Sequence, residues 1–381
     1  MKNIAIQLYL LCLKIVSVCF HLLPLKKRIF LVATFPENAK AVLKEASKQN
    51  KEVICMYDPR LEASDFAGAV VSKQNNLKNK WHLLYYLNTS AVVLIDNYLP
   101  ELAAVDFKTE AVCIQLWHAN GALKQFGWED KLAQTRPDKD KARFQKVYAR
   151  FERVVVSSDE MAAIFKRSFL MKEEQMLKIG MPRTDKFFDA TLQAEERRYW
   201  REKWNLADEK VILYAPTFRD DSLEKAELAL DIKQLEATFG ETHRLILKLH
   251  PSIQTELTIA EDPFLIPVPK QTSIESILAA TDMLITDYSS IPFEYALYKK
   301  PMYFFAYDLA SYQSERGLIS GYETIVPGEI VQTTADLVRA MQRTPDLEKV
   351  EQFAKKWNKY ADGNATQRLL AFTEAYLRKE D

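Results

Sequence analysis

Glycine is scarce in this sequence, with nine residues in a chain of 381. Neither the G-x-G-x-x-G pattern of dinucleotide-binding domains nor the G-x-x-x-x-G-K-S/T pattern of P-loop enzymes occurs in it. The two commonest glycine loops that bind phosphate are therefore absent. A nucleotide bound to this protein must be held by other groups.

Cysteine is also rare, and the four cysteines form no C-x-x-C pair and no spacing typical of a zinc site: Cys12, Cys19, Cys55 and Cys113. This usage predicts a reducing compartment and argues against a zinc site. Basic and acidic residues are equal at 52 each, so no excess positive charge indicates nucleic acid as a partner. We expect no cofactor, and the sequence leaves a metal requirement open.

The amino terminus is the one long apolar stretch, and residues 4–23 are long enough to span a bilayer. Its polar residues recur at intervals of three, four or seven and would form one narrow stripe on a helix: Asn3, Gln7, Lys14, Ser17 and His21. A basic tail of Lys26, Lys27 and Arg28 follows and could meet anionic lipid. The pattern favours an amphipathic, in-plane membrane anchor over residues 1–28. A transmembrane helix and a helix docked on the protein remain alternatives.

From Ile29 onward, short β-rich runs alternate with helical stretches, which is typical of parallel sheets with crossover helices. The strands are predicted at Ile29–Phe35, Val53–Met56, Ala91–Asp96, Val112–Trp117, Val154–Ser157, Val211–Tyr214, Leu245–Leu249, Met283–Thr286 and Met302–Phe305. We predict an α/β protein with two doubly wound Rossmann-like domains, over residues 29–193 and 194–381. The last helices, near 347–360 and 366–379, could close the second domain or cross back to the first.

Ligands of open α/β sheets bind beyond the carboxyl ends of the strands, so polar residues at those ends are the candidate site residues. The first predicted domain offers His118, directly after a strand. In the second domain, Pro216 ends a strand and is followed by Thr217 and Arg219. A lone histidine is often structural, and Arg219 could instead pair with a neighbouring aspartate.

Two further strand ends in the second domain favour an anionic ligand. Lys248 and His250 share one face of their strand, where burial without a partner would be costly. The run from Thr286 through Asp287, Ser289 and Ser290 to Glu294 leads from a strand into a helix with Pro292 in its first turn. Free amides, hydroxyls and the helix dipole could bind phosphate there. Helix capping by Asp287 or Ser289 is the structural alternative.

Five strings in order give a resemblance to the CDP-glycerol glycerophosphotransferase family of teichoic acid synthesis: W-H, Y-A-P-T-F-R-D, K-L-H-P, T-D-Y-S-S-I-P-F-E-Y-A-L and F-F-A-Y-D-L. It is strong from Tyr214 to Gly328, fair from Trp117 to Asp185, and weak before residue 110. The resemblance implies a GT-B-like fold, in which two domains face each other across a cleft. It also implies a donor held by the carboxyl-terminal domain, an acceptor entering from the amino-terminal domain, and attachment to the cytoplasmic face of the cell membrane.

The resemblance assigns roles to the candidate residues. It implies that His118 and His250 are a catalytic pair, one from each domain. Substrate would be bound by Pro216, Thr217, Arg219, Lys248, Thr286, Asp287, Ser289, Ser290 and Glu294, together with Arg183 of the G-M-P-R-T-D string. The family's usual glycine-threonine pair after the first histidine is replaced by Ala119-Asn120-Gly121.

Chain length points to one subgroup of the family. The sequence lacks the large extra regions of the polymerases, so it resembles the primases that add the first glycerol phosphate. Their acceptor is an undecaprenyl-diphosphate-linked N-acetylmannosaminyl-N-acetylglucosamine disaccharide, and CMP is released. The alternatives are a short glycerol- or ribitol-phosphate polymerase, a GT-B glycosyltransferase that uses a nucleotide sugar, and an inactive scaffold. Both histidines that a scaffold would be expected to lose are present.

Overall fold

The computed structural model describes residues 2–62, 66, 70–73, 77–217, 228–249, 262–269 and 272–378. The chain forms two compact units. Unit 1 contains Met1–Asn120, Phe126–Asp185 and Lys359–Asp381, and unit 2 contains Gly121–Gln125 and Lys186–Asn358. The predicted ranges 29–193 and 194–381 differ from these, because the chain enters unit 2 at Lys186 and returns to unit 1 at Lys359.

Unit 1 is built on a sheet of seven parallel strands, ordered β3-β2-β1-β4-β5-β6-β7. The strands are β1 (Lys26–Ala33), β2 (Val53–Tyr57), β3 (Val70–Lys73), β4 (Ser90–Ile95), β5 (Val112–Gln115), β6 (Arg153–Val156) and β7 (Met176–Lys178). The central strands are buried along almost their whole length, as expected of a parallel sheet covered on both faces.

The helices of unit 1 are α1 (Lys2–His21), α2 (Pro36–Lys48), α3 (Leu77–Thr89), α4 (Lys131–Gln134), α5 (Asp138–Tyr148), α6 (Asp159–Ser168) and the carboxyl-terminal α15 (Ala365–Leu377). Helix α15 packs against α2, and its Leu369 and Leu370 lie in the same core cluster as strand β1. The carboxylate of Asp185 accepts hydrogen bonds of 2.8 Å from the backbone amides of Ala365 and Thr366. These contacts fix the start of the last helix on unit 1.

Unit 2 is built on a second parallel sheet of six strands, ordered β10-β9-β8-β11-β12-β13. Its strands are β8 (Lys210–Tyr214), β9 (His243–Leu247), β10 (Leu265–Ile266), β11 (Met283–Thr286), β12 (Met302–Phe305) and β13 (Ile330–Val331). Its helices are α7 (Ala190–Lys203), α8 (Ile232–Phe239), α9 (Ile274–Leu278), α10 (Ile291–Tyr295), α11 (Leu309–Glu315), α12 (Tyr322–Ile325), α13 (Thr334–Gln342) and α14 (Leu347–Trp357). The predicted α/β class with parallel sheets is confirmed.

Helix α1 uses part of its polar stripe to contact unit 1. The Ser17 hydroxyl donates to Asn88 Oδ1 over 2.9 Å, and both side chains are buried. Lys14 pairs with Asp106, and His21 Nδ1 donates to the backbone oxygen of Asp106 over 3.0 Å. Three of the five residues of the stripe therefore contact protein, as expected of the alternative in which the helix docks on the protein.

The opposite side of α1 is apolar and exposed. Leu11 is 56% exposed and Ile15 59%, and Leu8 and Val18 are also exposed; Leu22, just beyond the helix, is 81% exposed. Within the described ranges, none of the helices has the length and apolar character needed to cross a membrane. An in-plane membrane position of α1 stays a prediction.

Candidate functional site

His118 lies just beyond the carboxyl end of β5, where the sequence analysis placed it. Its Nδ1 is 3.1 Å from the backbone oxygen of Asp96, the residue that follows the neighbouring strand β4. Because a carbonyl oxygen can only accept, Nδ1 carries the proton of the neutral imidazole. Nε2 is therefore the nitrogen that can accept a proton from a substrate.

Aromatic rings enclose the His118 imidazole. The Phe35 ring stacks on it with centroids 4.6 Å apart, and the Trp117 ring lies 4.4 Å away. Burial, with a smaller contribution from the nearby Arg183 charge, lowers the pKa of His118 to about 4. The imidazole is therefore neutral near pH 7, the form required of a general base.

The Asp96 carboxylate holds the turn that carries Phe35. It accepts backbone hydrogen bonds of 2.9 Å from Thr34 and Phe35, just before α2 begins. Burial raises the pKa of Asp96 to about 7, although these hydrogen bonds act to lower it. Asp96 thus fixes both the tautomer and one stacking neighbour of His118.

Arg183, predicted to bind substrate, lies in unit 1 beside His118. One guanidinium nitrogen donates to the backbone oxygen of His118. The Arg183 backbone amide donates to Asn38 Oδ1 over 3.0 Å. The structure thus shows Arg183 supporting the His118 loop, and its contact with substrate stays a prediction.

In unit 2, three neighbouring strands bring most of the predicted donor residues to one edge of the sheet. Pro216 and Thr217 follow β8, Lys248 follows β9, and Asp287 follows β11. Asp287 Oδ1 accepts hydrogen bonds from the backbone amides of Thr217 over 2.8 Å and Tyr288 over 2.6 Å. The buried aspartate therefore joins the ends of β8 and β11.

Hydroxyl groups strengthen the same junction. Thr286 Oγ1 donates to the backbone oxygen of Ala215 over 2.7 Å and lies 2.8 Å from Ser289 Oγ. Ser289 and Ser290 are partly exposed, whereas Glu294 is buried in α10. Burial lowers the pKa of Lys248 at the neighbouring strand end. The hydroxyls of Ser289 and Ser290 and the ammonium group of Lys248 can supply hydrogen-bond donors and positive charge to an anionic ligand.

Helix α10 differs from the predicted phosphate-binding helix in length. It has five residues, Ile291–Tyr295, and Ser290 is the residue that precedes it. A helix of little more than one turn has a small dipole, so the hydroxyls and Lys248 must carry more of any anion binding than predicted. Capping by Asp287 or Ser289 was the alternative, and the structure shows these side chains joined to Thr217 and Thr286.

Two predicted residues, Arg219 and His250, lie outside the described residues. Their roles stay predictions. Among the residues that the structure describes, no group of three or more His, Cys, Asp or Glu side chains could hold a metal ion.

The sequence analysis missed three side chains around His118: Asn38, Asp96 and Gln115. Asp96 could have been found, because it follows β4 at the edge of the sheet where candidate residues were sought. Asn38 lies in the first turn of α2, and Gln115 is the last residue of β5. Their sequence positions carry no signal of a site.

Comparison with known proteins decides the family. The family model of CDP-Glycerol:Poly(glycerophosphate) glycerophosphotransferase matches residues 17–374. The chain belongs to this family. It is 35% identical over 383 residues to the teichoic acid glycerol-phosphate primase of Bacillus subtilis (strain 168), covering 98% of each chain. The predicted enzyme class, a CDP-glycerol glycerophosphotransferase of teichoic acid biosynthesis, is confirmed.

Other relatives and a solved structure agree with the family. The chain is 28% identical to the glycerol-phosphate primase of Staphylococcus aureus (strain NCTC 8325 / PS 47), over 93% of each chain. A variant of the wall teichoic acid polymerase TagF aligns with a TM-score of 0.80 and 25% identity, over 92% of this chain and 89% of that one. This likeness supports a GT-B-like α/β fold with two parallel sheets.

Proposed function

We propose that this glycerophosphotransferase is a primase that transfers one glycerol phosphate from CDP-glycerol to an undecaprenyl-diphosphate-linked disaccharide and releases CMP. The proposal rests on the fraction of each relative's length that the chain matches. The chain spans 98% of two Bacillus glycerol-phosphate primases, but only 38% of a glycerol-phosphate polymerase and 50–60% of three ribitol-phosphate polymerases. The chain and these two primases therefore match over almost their whole lengths, whereas the polymerases match it over little more than half of theirs or less.

The carboxyl edge of the unit 2 sheet supports the placement of the donor. Ser289 and Ser290 are partly exposed there and carry hydroxyl groups, and Lys248 adds a partly buried positive charge. Hydrogen bonds between charged groups and phosphate are among the strongest in proteins. Arg219 belongs to this donor site in our proposal, on the evidence of its sequence position alone.

The proposed reaction is a substitution at phosphorus. An acceptor hydroxyl oxygen attacks the phosphorus that carries glycerol, and the bond from that phosphorus to the bridging oxygen breaks. The bonding electron pair leaves with CMP. The hydroxyl proton passes to Nε2 of His118, whose Nδ1 proton is held by the Asp96 carbonyl. We assign His250 to stabilising the phosphates or the departing CMP.

Attachment to the cytoplasmic face of the membrane is part of the proposal, because the acceptor is a lipid. The exposed side of α1 presents the apolar side chains of Leu8, Leu11, Ile15 and Val18, and Leu22 is exposed just beyond the end of the helix. Lys26 and Lys27 are exposed just beyond the helix, next to Arg28. An apolar helix face with a basic rim is the surface expected of a protein that lies on anionic lipid.

Product size tests the proposed priming activity. With CDP-glycerol in excess and a lipid-linked disaccharide as acceptor, we expect mass spectrometry to show a product extended by one glycerol phosphate. A series of longer products would identify a polymerase. CDP-ribitol is the necessary comparison donor, because the chain is also 34% identical to a ribitol-phosphate primase over 77% of its length. Faster transfer from CDP-ribitol would overturn the donor assignment.

A further inference from the structure

Trp117, the residue before His118, has an unusual backbone conformation. Its φ angle is +62°, in the left-handed region that side-chain-bearing residues rarely adopt. Such a conformation costs free energy and persists where the surrounding contacts enforce it. Trp117 sets the direction in which the chain enters His118, so the contacts that enforce its conformation also place the imidazole.

Two buried side chains hold the Trp117 backbone from opposite sides. The Trp117 amide donates to Gln115 Oε1 over 2.8 Å, and Asn38 Nδ2 donates to the Trp117 carbonyl oxygen over 2.7 Å. Asn38 is 3% exposed, and Gln115 is fully buried. Water cannot readily replace either contact, so loss of one leaves a backbone group unsatisfied.

Asn38 also connects this turn to the Arg183 loop. Its Oδ1 accepts the Arg183 backbone amide over 3.0 Å, and the Arg183 guanidinium donates to the carbonyl oxygen of His118. One side chain of α2 therefore supports the backbone on both sides of the imidazole. Only one orientation of the Asn38 amide group satisfies both contacts, since Nδ2 must donate and Oδ1 must accept.

We infer that Asn38 is a positioning residue for catalysis: by clamping Trp117 and the Arg183 loop, it holds His118 where its Nε2 can accept the proton of the acceptor hydroxyl. The inference rests on the proposed role of His118 as the base. Catalytic groups must be held closely, and a displacement of about 1 Å can cost about a hundredfold in rate.

The variant Asn38→Asp tests this with almost no change in volume. Its carboxylate can still accept the Arg183 amide, but it cannot donate to Trp117 and would repel that carbonyl oxygen. We expect kcat to fall at least about tenfold, while the Kd for CDP-glycerol stays within about twofold.

Gln175→Glu is the matched control. The Gln175 amide also bridges two backbone segments of unit 1, donating to Phe151 over 3.0 Å and accepting from Lys172 over 2.9 Å. We expect the Gln175→Glu variant to keep the kcat of the wild type.

The pH profile separates positioning from a loss of stability. The charged groups that act on His118 are the Arg183 guanidinium and the Glu37 carboxylate, and the Asp96 backbone oxygen accepts a hydrogen bond from its Nδ1. Loss of the contacts at Trp117 would expose the His118 imidazole to water. The Asn38→Asp variant would also place a new carboxylate near this imidazole. Both effects favour protonated histidine. The acidic limb of kcat/KM should therefore move to higher pH in Asn38→Asp and in Asn38→Ala, at temperatures where both variants are folded.

Two results decide the inference. If Asn38→Asp is folded, keeps kcat within about threefold of wild type and leaves the acidic limb in place, Asn38 has no positioning role, whatever His118 does. His118→Ala, measured in parallel, tests the proposed function separately. An unchanged kcat in His118→Ala would reject the base assignment on which the inference depends.

Discussion

Replacing His118 by alanine is expected to lower turnover by about 10²–10⁴-fold, the usual contribution of a positioned general base. The affinity for CDP-glycerol should change by less than about threefold, because His118 lies in unit 1 and the proposed donor site in unit 2. CMP release at saturating donor and acceptor measures the first quantity, and calorimetric titration measures the second. His82→Ala is the control, since that histidine is exposed on α3 and should not affect turnover.

The pH dependence adds a second test of the same variant. A base must be unprotonated, and the pKa of His118 is lowered to about 4. In the wild type, kcat/KM should therefore show no loss from His118 between pH 8 and pH 5, and should fall only as the pH approaches 4. A His118→Ala enzyme with turnover within about threefold of wild type would exclude His118 as the base.

The second large effect is expected from the exposed face of α1. The double variant Leu11→Asp/Ile15→Asp should weaken binding to anionic vesicles by at least about a hundredfold. Each of these side chains would lose at least about 1.5 kcal/mol of burial in lipid, and about 1.4 kcal/mol is a factor of ten. Both side chains are more than half exposed in the structure, so folding and CDP-glycerol affinity should not change. Vesicle co-sedimentation measures the fraction of the protein that is bound to lipid.

A matched control separates this effect from added negative charge. Leu132 and Leu170 are 54% and 59% exposed on other parts of unit 1, and Leu132→Asp/Leu170→Asp adds the same two charges. That variant should bind vesicles nearly as well as the wild type. If the α1 variant and the control bind vesicles equally, the membrane-binding surface lies elsewhere on the protein.

The contacts of α1 show what the sequence could not predict about the amino terminus. The spacing of Lys14, Ser17 and His21 correctly placed them on one side of a helix. A pattern of polar residues does not identify their partner, and Asn88 and Asp106 are more than 70 residues away in the chain. Because Leu13 and Ser17 are buried against unit 1, deleting the helix would uncover the protein interior. Point substitutions on the exposed face are therefore the better experiment.

The sheets were predictable where buried strands of at least four residues show as apolar runs in the sequence. All nine predicted strands are present, with ends that differ by a few residues. Three of the strands that were missed, β7, β10 and β13, have two or three residues, too few to show a pattern. The fourth, β3, is as long as four strands that were predicted, so its length does not explain why it was missed. The position of α15 could not be predicted either, because its apolar face fits any apolar surface. Its hydrogen bonds to Asp185 join residues 180 positions apart.

The site was predictable only in part, for a related reason. Residues at the ends of strands follow from the topology of a parallel sheet, and His118, Thr217, Lys248 and Asp287 were found in this way. Asn38 contacts the Trp117 carbonyl oxygen from a neighbouring helix, and no sequence pattern indicates the left-handed conformation of Trp117. The side chains that support a site depend on tertiary packing, which a single sequence does not reveal.

A labelled donor shows directly whether glycerol phosphate, and not glycerol alone, is transferred. We would supply CDP-glycerol with ³²P in the phosphate that carries glycerol, together with the lipid-linked disaccharide, and separate lipid from nucleotide. Attack at phosphorus predicts that all transferred label appears in the lipid product and that the released nucleotide is unlabelled CMP. Labelled CDP as the released nucleotide would show that the bond to carbon is broken, as in a glycosyltransferase, and would contradict the account.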